Sequence, residues 1–200
     1  MSVRRIWTSP GQDPLETVQY ERRMSRIVNT NGSVVFEMAD AEIPAAWSQV
    51  ATDIMVSKYF RKAGVPQYDE RGEVLRDDQG NVLTGPERSV KQVVRRMAGC
   101  WRHWGEQYGY FETPQDAQAF EDEISYMMVH QMAAPNSPQW FNTGLAHAYG
   151  ITGVPQGHYY CDPSTGEVCQ SQDSYTHPQP HACFIQSVSD DMVNPGGIMD

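Results

Sequence analysis

Ser89-Val-Lys-Gln-Val-Val-Arg-Arg-Met-Ala-Gly-Cys-Trp-Arg-His-Trp-Gly-Glu-Gln-Tyr108 carries the clearest structural signal in the chain. Val90, Val93, Val94, Met97, Trp101, Trp104 and Tyr108 recur at helical spacing and line one face. Ser89 stands where a capping hydroxyl is needed. A second helix follows, opened by Thr113-Pro114, with Asp116 completing a near capping box. Its apolar face is Ala117, Phe120, Ile124, Met127, Met128 and Met132. The short linker between the two predicts an antiparallel pair. Aromatic and methionine stripes of this kind read as core rather than as a cofactor box.

Working outward, Pro44 suits a first helical position, and Trp47, Val50, Ile54 and Phe60 recur until Gly64 stops the pattern. Three further segments each read as a hairpin: Arg26 to Phe36, Glu73 to Leu83, and His158 to Val168. Gly32, Gly80 and Gly166 supply their left-handed positions. The segments are dissimilar enough to be taken as local hairpins, not a repeat family. Residues 1–25 are polar and read as an irregular arm. The expected organisation is that arm, a mainly helical domain with hairpins over 26–134, and a different unit over 135–200.

Composition bounds the function. Forty per cent apolar and 20% charged residues describe a globular chain. A net charge of −10 argues against a general nucleic-acid or membrane-surface binder, which needs a basic face. No apolar run is long enough for a membrane span, and the N-terminus lacks the pattern of a signal peptide. Four cysteines without such a signal fit a reducing cytoplasm better than a disulfide scaffold.

After Pro135 the character changes. Met132-Ala-Ala-Pro-Asn-Ser-Pro-Gln-Trp-Phe-Asn-Thr-Gly144 is dense in turn formers yet carries two aromatics, which marks it as a site-bearing loop. Further on, His177-Pro-Gln-Pro-His-Ala-Cys-Phe-Ile-Gln-Ser-Val188 places two prolines before an apolar run. Each proline pushes its predecessor into an extended conformation, so Ala182 to Val188 reads as a short buried strand. Cys183 then stands at a strand start beside a loop. Such a thiol is a nucleophile, a hydrogen donor or reductant, or simply a small core hydrophobe. Cys161 and Cys169 flank the third hairpin almost symmetrically and could face each other across it. With His158, His177 and His181 nearby, zinc is a further reading, but no paired Cys-x-x-Cys knuckle supports it and no metal is assigned.

Together these runs resemble the adenosylcobalamin-dependent (class II) ribonucleotide reductases, over nearly everything from Glu21 to Asp200. The resemblance is carried by Gly32-Ser-Val-Val-Phe-Glu37, Trp47-Ser-Gln-Val-Ala-Thr-Asp53 and Lys58-Tyr-Phe-Arg-Lys-Ala-Gly64. It continues in Ala98-Gly-Cys-Trp-Arg-His-Trp-Gly105, in Gln131 to Asn142, and in Pro178 to Val188. It implies an α/β (α+β) fold, with a helical N-terminal domain followed by the opening segments of a ten-stranded α/β barrel. It also implies a truncated chain, because the radical cysteine and the second reducing cysteine would lie beyond Asp200. In similar enzymes cobalamin homolysis yields a thiyl radical that abstracts the 3′-hydrogen of the substrate. A cysteine pair then supplies a proton and two electrons and becomes a disulfide.

By this resemblance Cys183 is the catalytic first member of the reducing pair. Ser137, Ala182 and Cys183 contact the ribonucleotide, Ala182 through its main chain. Asp190 matches an effector-site carboxylate, although a turn acid or helix cap is an equal reading of that residue. The implied cofactor is adenosylcobalamin, bound mostly by residues beyond this chain. The implied partners are a ribonucleotide substrate (taken as a diphosphate), a deoxynucleotide effector, a thioredoxin-type reductant and a second copy of the full enzyme. Two hundred residues with one of three required thiols are expected to be inactive alone. The alternative is a non-catalytic half, or regulatory partner, of a split reductase.

Overall fold

The structure, a computed structural model, describes residues 1–69 and 71–179. Tyr20–Val28 (β1) and Val34–Pro44 (β2) form an antiparallel ribbon around a turn in which Gly32 takes φ 83°. The ribbon is longer than the sequence suggests, and β1 begins inside the segment read as an irregular arm. Its polarity hid it. Arg23 sends its guanidinium to the carbonyls of Trp47 and Ala45 at 2.5 and 2.8 Å and to the Thr52 hydroxyl at 3.0 Å. A register shift between Arg23 and Ser25 bends the ribbon there.

Pro44 closes β2 opposite Tyr20 instead of opening a helix. Helix α1, Gln49–Ile54, starts later because Ser48 caps it, its hydroxyl accepting from the Ala51 N–H at 3.1 Å. Val50 and Ile54, expected in the core, are 68% and 46% exposed. Thr52, Met55 and Val56 form the buried side instead. The helix runs on into a π-helical segment, Met55–Tyr59.

Residues 65–85 hold two short strands, β3 (Val65–Pro66) and β4 (Thr84–Gly85), and an arrangement the sequence reading missed. Asp69, Gly72, Glu73, Val74 and Leu75 recur eight residues later as Asp77, Gly80, Asn81, Val82 and Leu83. In each unit the Asp carboxylate accepts from the backbone N–H groups two and four residues on, at 2.8–2.9 Å. Three extended pieces then close on one another. Gln67 N–H donates to Leu83 O, Leu83 N–H to Leu75 O, and Leu75 N–H to Gln67 O, each at 2.9 Å.

Helices α2 (Val90–Gln107) and α3 (Pro114–Val129) form as expected, each with a complete capping box, Ser89 with Gln92 and Thr113 with Asp116. They run antiparallel: Gly105 meets Phe111, and Arg102 reaches Gln118 and Glu121. Val90, Val93, Val94 and Met97 pack with Ile43, Val56, Phe60, Met128 and Val129 in the main core. Met132, expected on the α3 face, lies past its end and is 47% exposed.

The arm docks on the polar side of α3. The Val3 N–H donates to Asp116 at 2.8 Å, Arg5 pairs with Asp122 at 2.6 Å, and the N–H groups of Trp7 and Thr8 converge on Glu123. A 3-10 turn over Pro14–Thr17 then buries Leu15 in the core. These contacts cover acidic residues that would otherwise face water.

After α3 come α4 (Ser137–Asn142), α5 (Leu145–Tyr149) and the ribbon of β5 (Tyr159–Cys161) with β6 (Val168–Gln170). Gly80 and Gly166 both take positive φ, 86° and 75°, as their turns require. The described part is α+β: helices packed with three separate two-stranded antiparallel sheets. No helix among the described residues is long and apolar enough to cross a membrane.

Candidate functional site

Ser137 is the candidate site residue that lies within the described structure. Ala182, Cys183, Asp190 and the expected strand Ala182–Val188 fall outside the described residues. The segment read as a site-bearing loop is partly helical. Ser137 opens α4 with Pro138 beside it, a residue whose fixed φ suits a first turn. Trp140 is buried and its indole N–H donates to Pro135 O at 2.8 Å, which folds the segment back on itself.

The Ser137 hydroxyl lies 3.2 Å from the hydroxyl of Tyr59, the last residue of the π-helical segment. The Tyr59 ring stacks on Trp140, with centroids 5.4 Å apart and planes 18° from parallel, and leans against Phe141. Lys62, three residues along, is pulled down to about 8 by burial, against the pull of Glu87.

Beneath this patch lies a sealed ion pair. Arg96 Nε donates to Glu87 Oε1 at 2.7 Å, with both side chains out of reach of solvent. The remaining Arg96 donors go to the carbonyls of Thr143 and Trp140, each at 2.7 Å. These are groups at the end of α4 that the helix itself leaves unpaired. Glu87 is completed by the Tyr149 hydroxyl at 2.9 Å and the Arg61 N–H at 2.7 Å. Burial, and then the neighbouring Glu87 charge, raise the Tyr149 phenol far above its ordinary range. One arginine thus ties α2 to α4. Its signal was present in the sequence, since Arg96 falls on the apolar stripe between Val93 and Met97.

A cavity of about 1150 Å³ opens further along α2, lined among others by Cys100, His103, Trp104, His147, His158 and Tyr160. The His103 and His147 rings stack at 4.7 Å, and Tyr160 stacks on His177 at 3.7 Å. Burial, and then the proximity of His103, lower the His147 imidazole below its usual value. Gln179 is on the rim, four residues before Cys183 in sequence, whereas Ser137 does not line this cavity.

The two hairpin cysteines do not face each other. The register pairs Cys161 with Val168 and Cys169 with Tyr160, so the cysteines occupy adjacent positions whose side chains point to opposite faces. Cys100, Cys161 and Cys169 are all free thiols. Among the described residues, no three His, Cys, Asp or Glu side chains converge as metal ligands.

Comparison with known proteins gives this architecture its family. The description "Class II vitamin B12-dependent ribonucleotide reductase" matches residues 21–131, from the start of the first ribbon to just past α3. The vitamin B12-dependent ribonucleotide reductase of Agrobacterium fabrum is 49% identical over 216 aligned residues, covering 100% of this chain and 17% of that protein. That of Bradyrhizobium diazoefficiens is 50% identical with the same coverage. That of Rhodopirellula baltica is 38% identical over 91% of this chain and 16% of its own length. The chain therefore spans about 17% of the length of these first two relatives, at their N-terminal end. With more than half its residues under the family description, the chain belongs to the class II vitamin B12-dependent ribonucleotide reductase family.

Proposed function

We propose that the whole protein reduces ribonucleoside diphosphates to 2′-deoxyribonucleotides, and that this chain supplies one reducing thiol and part of the substrate pocket. The observation that carries the reading is the extent of the match: relatives that share one name align with 100% of the chain at 49–50% identity. The proposed organisation is a folded N-terminal unit through residue 134 followed by the first segments of a ten-stranded barrel. Adenosylcobalamin, when bound, supplies the initiating radical. The described residues do not fit that group. The imidazoles lining the cavity turn onto each other or onto the chain, His103 against His147, His177 against Tyr160, and His158 onto the His177 carbonyl. Its seat is accordingly assigned to the remainder of the polypeptide.

Cys183 takes the role of a hydrogen donor. Loss of the 2′-hydroxyl as water consumes two electrons and two protons, and two thiols provide both by closing a disulfide. Exchange with a thioredoxin-type dithiol then resets the pair. Ser137 and the Ala182 main chain hold ribose or phosphate oxygens, a role that hydroxyls and N–H groups fill without a cation. Asp190 serves a deoxynucleotide effector site in a homodimer.

The test is Cys183→Ser in the full-length protein. Multiple-turnover deoxynucleotide formation is expected to fall at least about a thousandfold, as for loss of a reacting group, while substrate still binds. Turnover retained within tenfold would remove Cys183 from the reaction.

A further inference from the structure

We infer that Tyr59 is a positioning residue for the Ser137 hydroxyl, an inference that rests on Ser137 contacting the substrate as proposed above. The two hydroxyl oxygens lie 3.2 Å apart. A phenol is the stronger acid of the two, so Tyr59 donates and Ser137 accepts. The Ser137 hydrogen is then free to turn toward a ligand oxygen, and its bond is strengthened by the one behind it.

Three independent features hold Tyr59 for this purpose. Its ring is stacked on Trp140, so the same residue grips α4 at its first position and again at its fourth. Its carbonyl is approached by Arg96 Nη2 at 3.4 Å, the group that also binds the Trp140 carbonyl. Its place in the chain is set by the π-helical segment, closed by the Phe60 N–H donating to Met55 O at 3.0 Å. Each residue turns an α-helix by about 100°, so one residue fewer here would swing Tyr59 away from Ser137. A π segment is seldom kept without a use, and aiming a side chain is a recurrent one. A purely structural aromatic would need the ring and not the hydroxyl.

The experiment uses the full-length protein with the ribonucleotide it turns over, comparing Tyr59→Phe, Ser137→Ala and the double variant. Tyr59→Phe keeps the ring and its stack, and a thermal melt of each variant accompanies the kinetics. KM is expected to rise about five- to tenfold in Tyr59→Phe, the cost of one hydrogen bond, with kcat changed less than about twofold. In the Ser137→Ala background the same substitution should change nothing further. Ser137→Ala with an unaltered KM overturns the substrate-contact reading itself. A raised KM in Ser137→Ala with an unaltered KM in Tyr59→Phe overturns the positioning role alone. So does a Tyr59→Phe effect that persists in full on top of Ser137→Ala, or one confined to the melting temperature.

Discussion

Glu87 and Arg96 face each other at 2.7 Å with neither side chain reaching solvent, and each nitrogen of the guanidinium fork donates to a carboxylate or a carbonyl. A buried pair of this kind contributes little over an apolar substitute, yet losing one member leaves a charge uncompensated. Arg96→Met is therefore expected to destabilise the chain by about 3–5 kcal/mol, read as a shift in the denaturation midpoint. Arg96→Lys should recover little, because a lysine cannot reach two carbonyls and a carboxylate in one plane. A midpoint unchanged in Arg96→Met would show that the pair does not hold α4 in place.

Gly144 provides a separate check on the same junction. It has φ +82°, and an added Cβ would stand 2.0 Å from the Arg96 carbonyl oxygen, part of the rigid α2 backbone. Gly144→Ala should cost more than about 2 kcal/mol through clash and strain together. Gly99→Ala, in the same helix, meets nothing closer than 3.6 Å and should be neutral or stabilising by about 1 kcal/mol. Equal effects of the two substitutions would contradict this packing.

The docking of the arm should depend on acidity. Hydrogen bonds from the Thr113 hydroxyl and the Val3 N–H hold the Asp116 carboxyl below its usual 3.8. Burial alone would push Glu123 up, but the Thr8 hydroxyl and the backbone N–H groups of Thr8, Ile6 and Trp7 outweigh it and hold it below 4.5. Depressed folded values mean that the stabilisation is fully present above the unfolded values and disappears as pH falls through the folded ones. Amide exchange of Val3, Trp7 and Thr8 should accordingly rise as pH drops below about 4, after correction for intrinsic rates. Protection that stays constant down to pH 2 would separate the arm from these carboxylates.

Thiol reactivity should follow burial. Burial pushes the Cys100 thiol up to about 12, so it is both covered and un-ionised near neutral pH. Iodoacetamide under native conditions is expected to modify exposed Cys161 well before Cys100. Labelling of Cys100 at a comparable rate would mean that α2 opens readily.

The two long helices were legible because their caps, stripes and lengths agree: Ser89 with Gln92, Thr113 with Asp116, and a core face for each. The hairpin turns were legible from glycine spacing. What failed was periodicity taken without its cap. Val50 and Ile54 lie four residues apart and look like core, but Ser48 starts the helix in a phase that turns both outward. The first half of β1 was illegible because Arg23 is needed there to hold carbonyls from another segment, which no local pattern reveals. The π-helical turn has no composition of its own, so the meeting of Tyr59 and Ser137 could be found only in three dimensions. The eight-residue repetition over 69–83 is present in the letters but straddles the start of the Glu73–Leu83 hairpin, so a single-hairpin pattern does not reveal it.

The arm also imposes a timetable. Its anchors on α3 lie more than a hundred residues downstream, 113 in the case of Val3 and Asp116. At roughly 5–20 residues per second of synthesis, the first residues leave the ribosome on the order of ten seconds before their partners exist. During that interval the segment has nothing to dock on. Its mostly polar composition, which obscures its structural role in the sequence, suits a segment that must stay in water before it can dock.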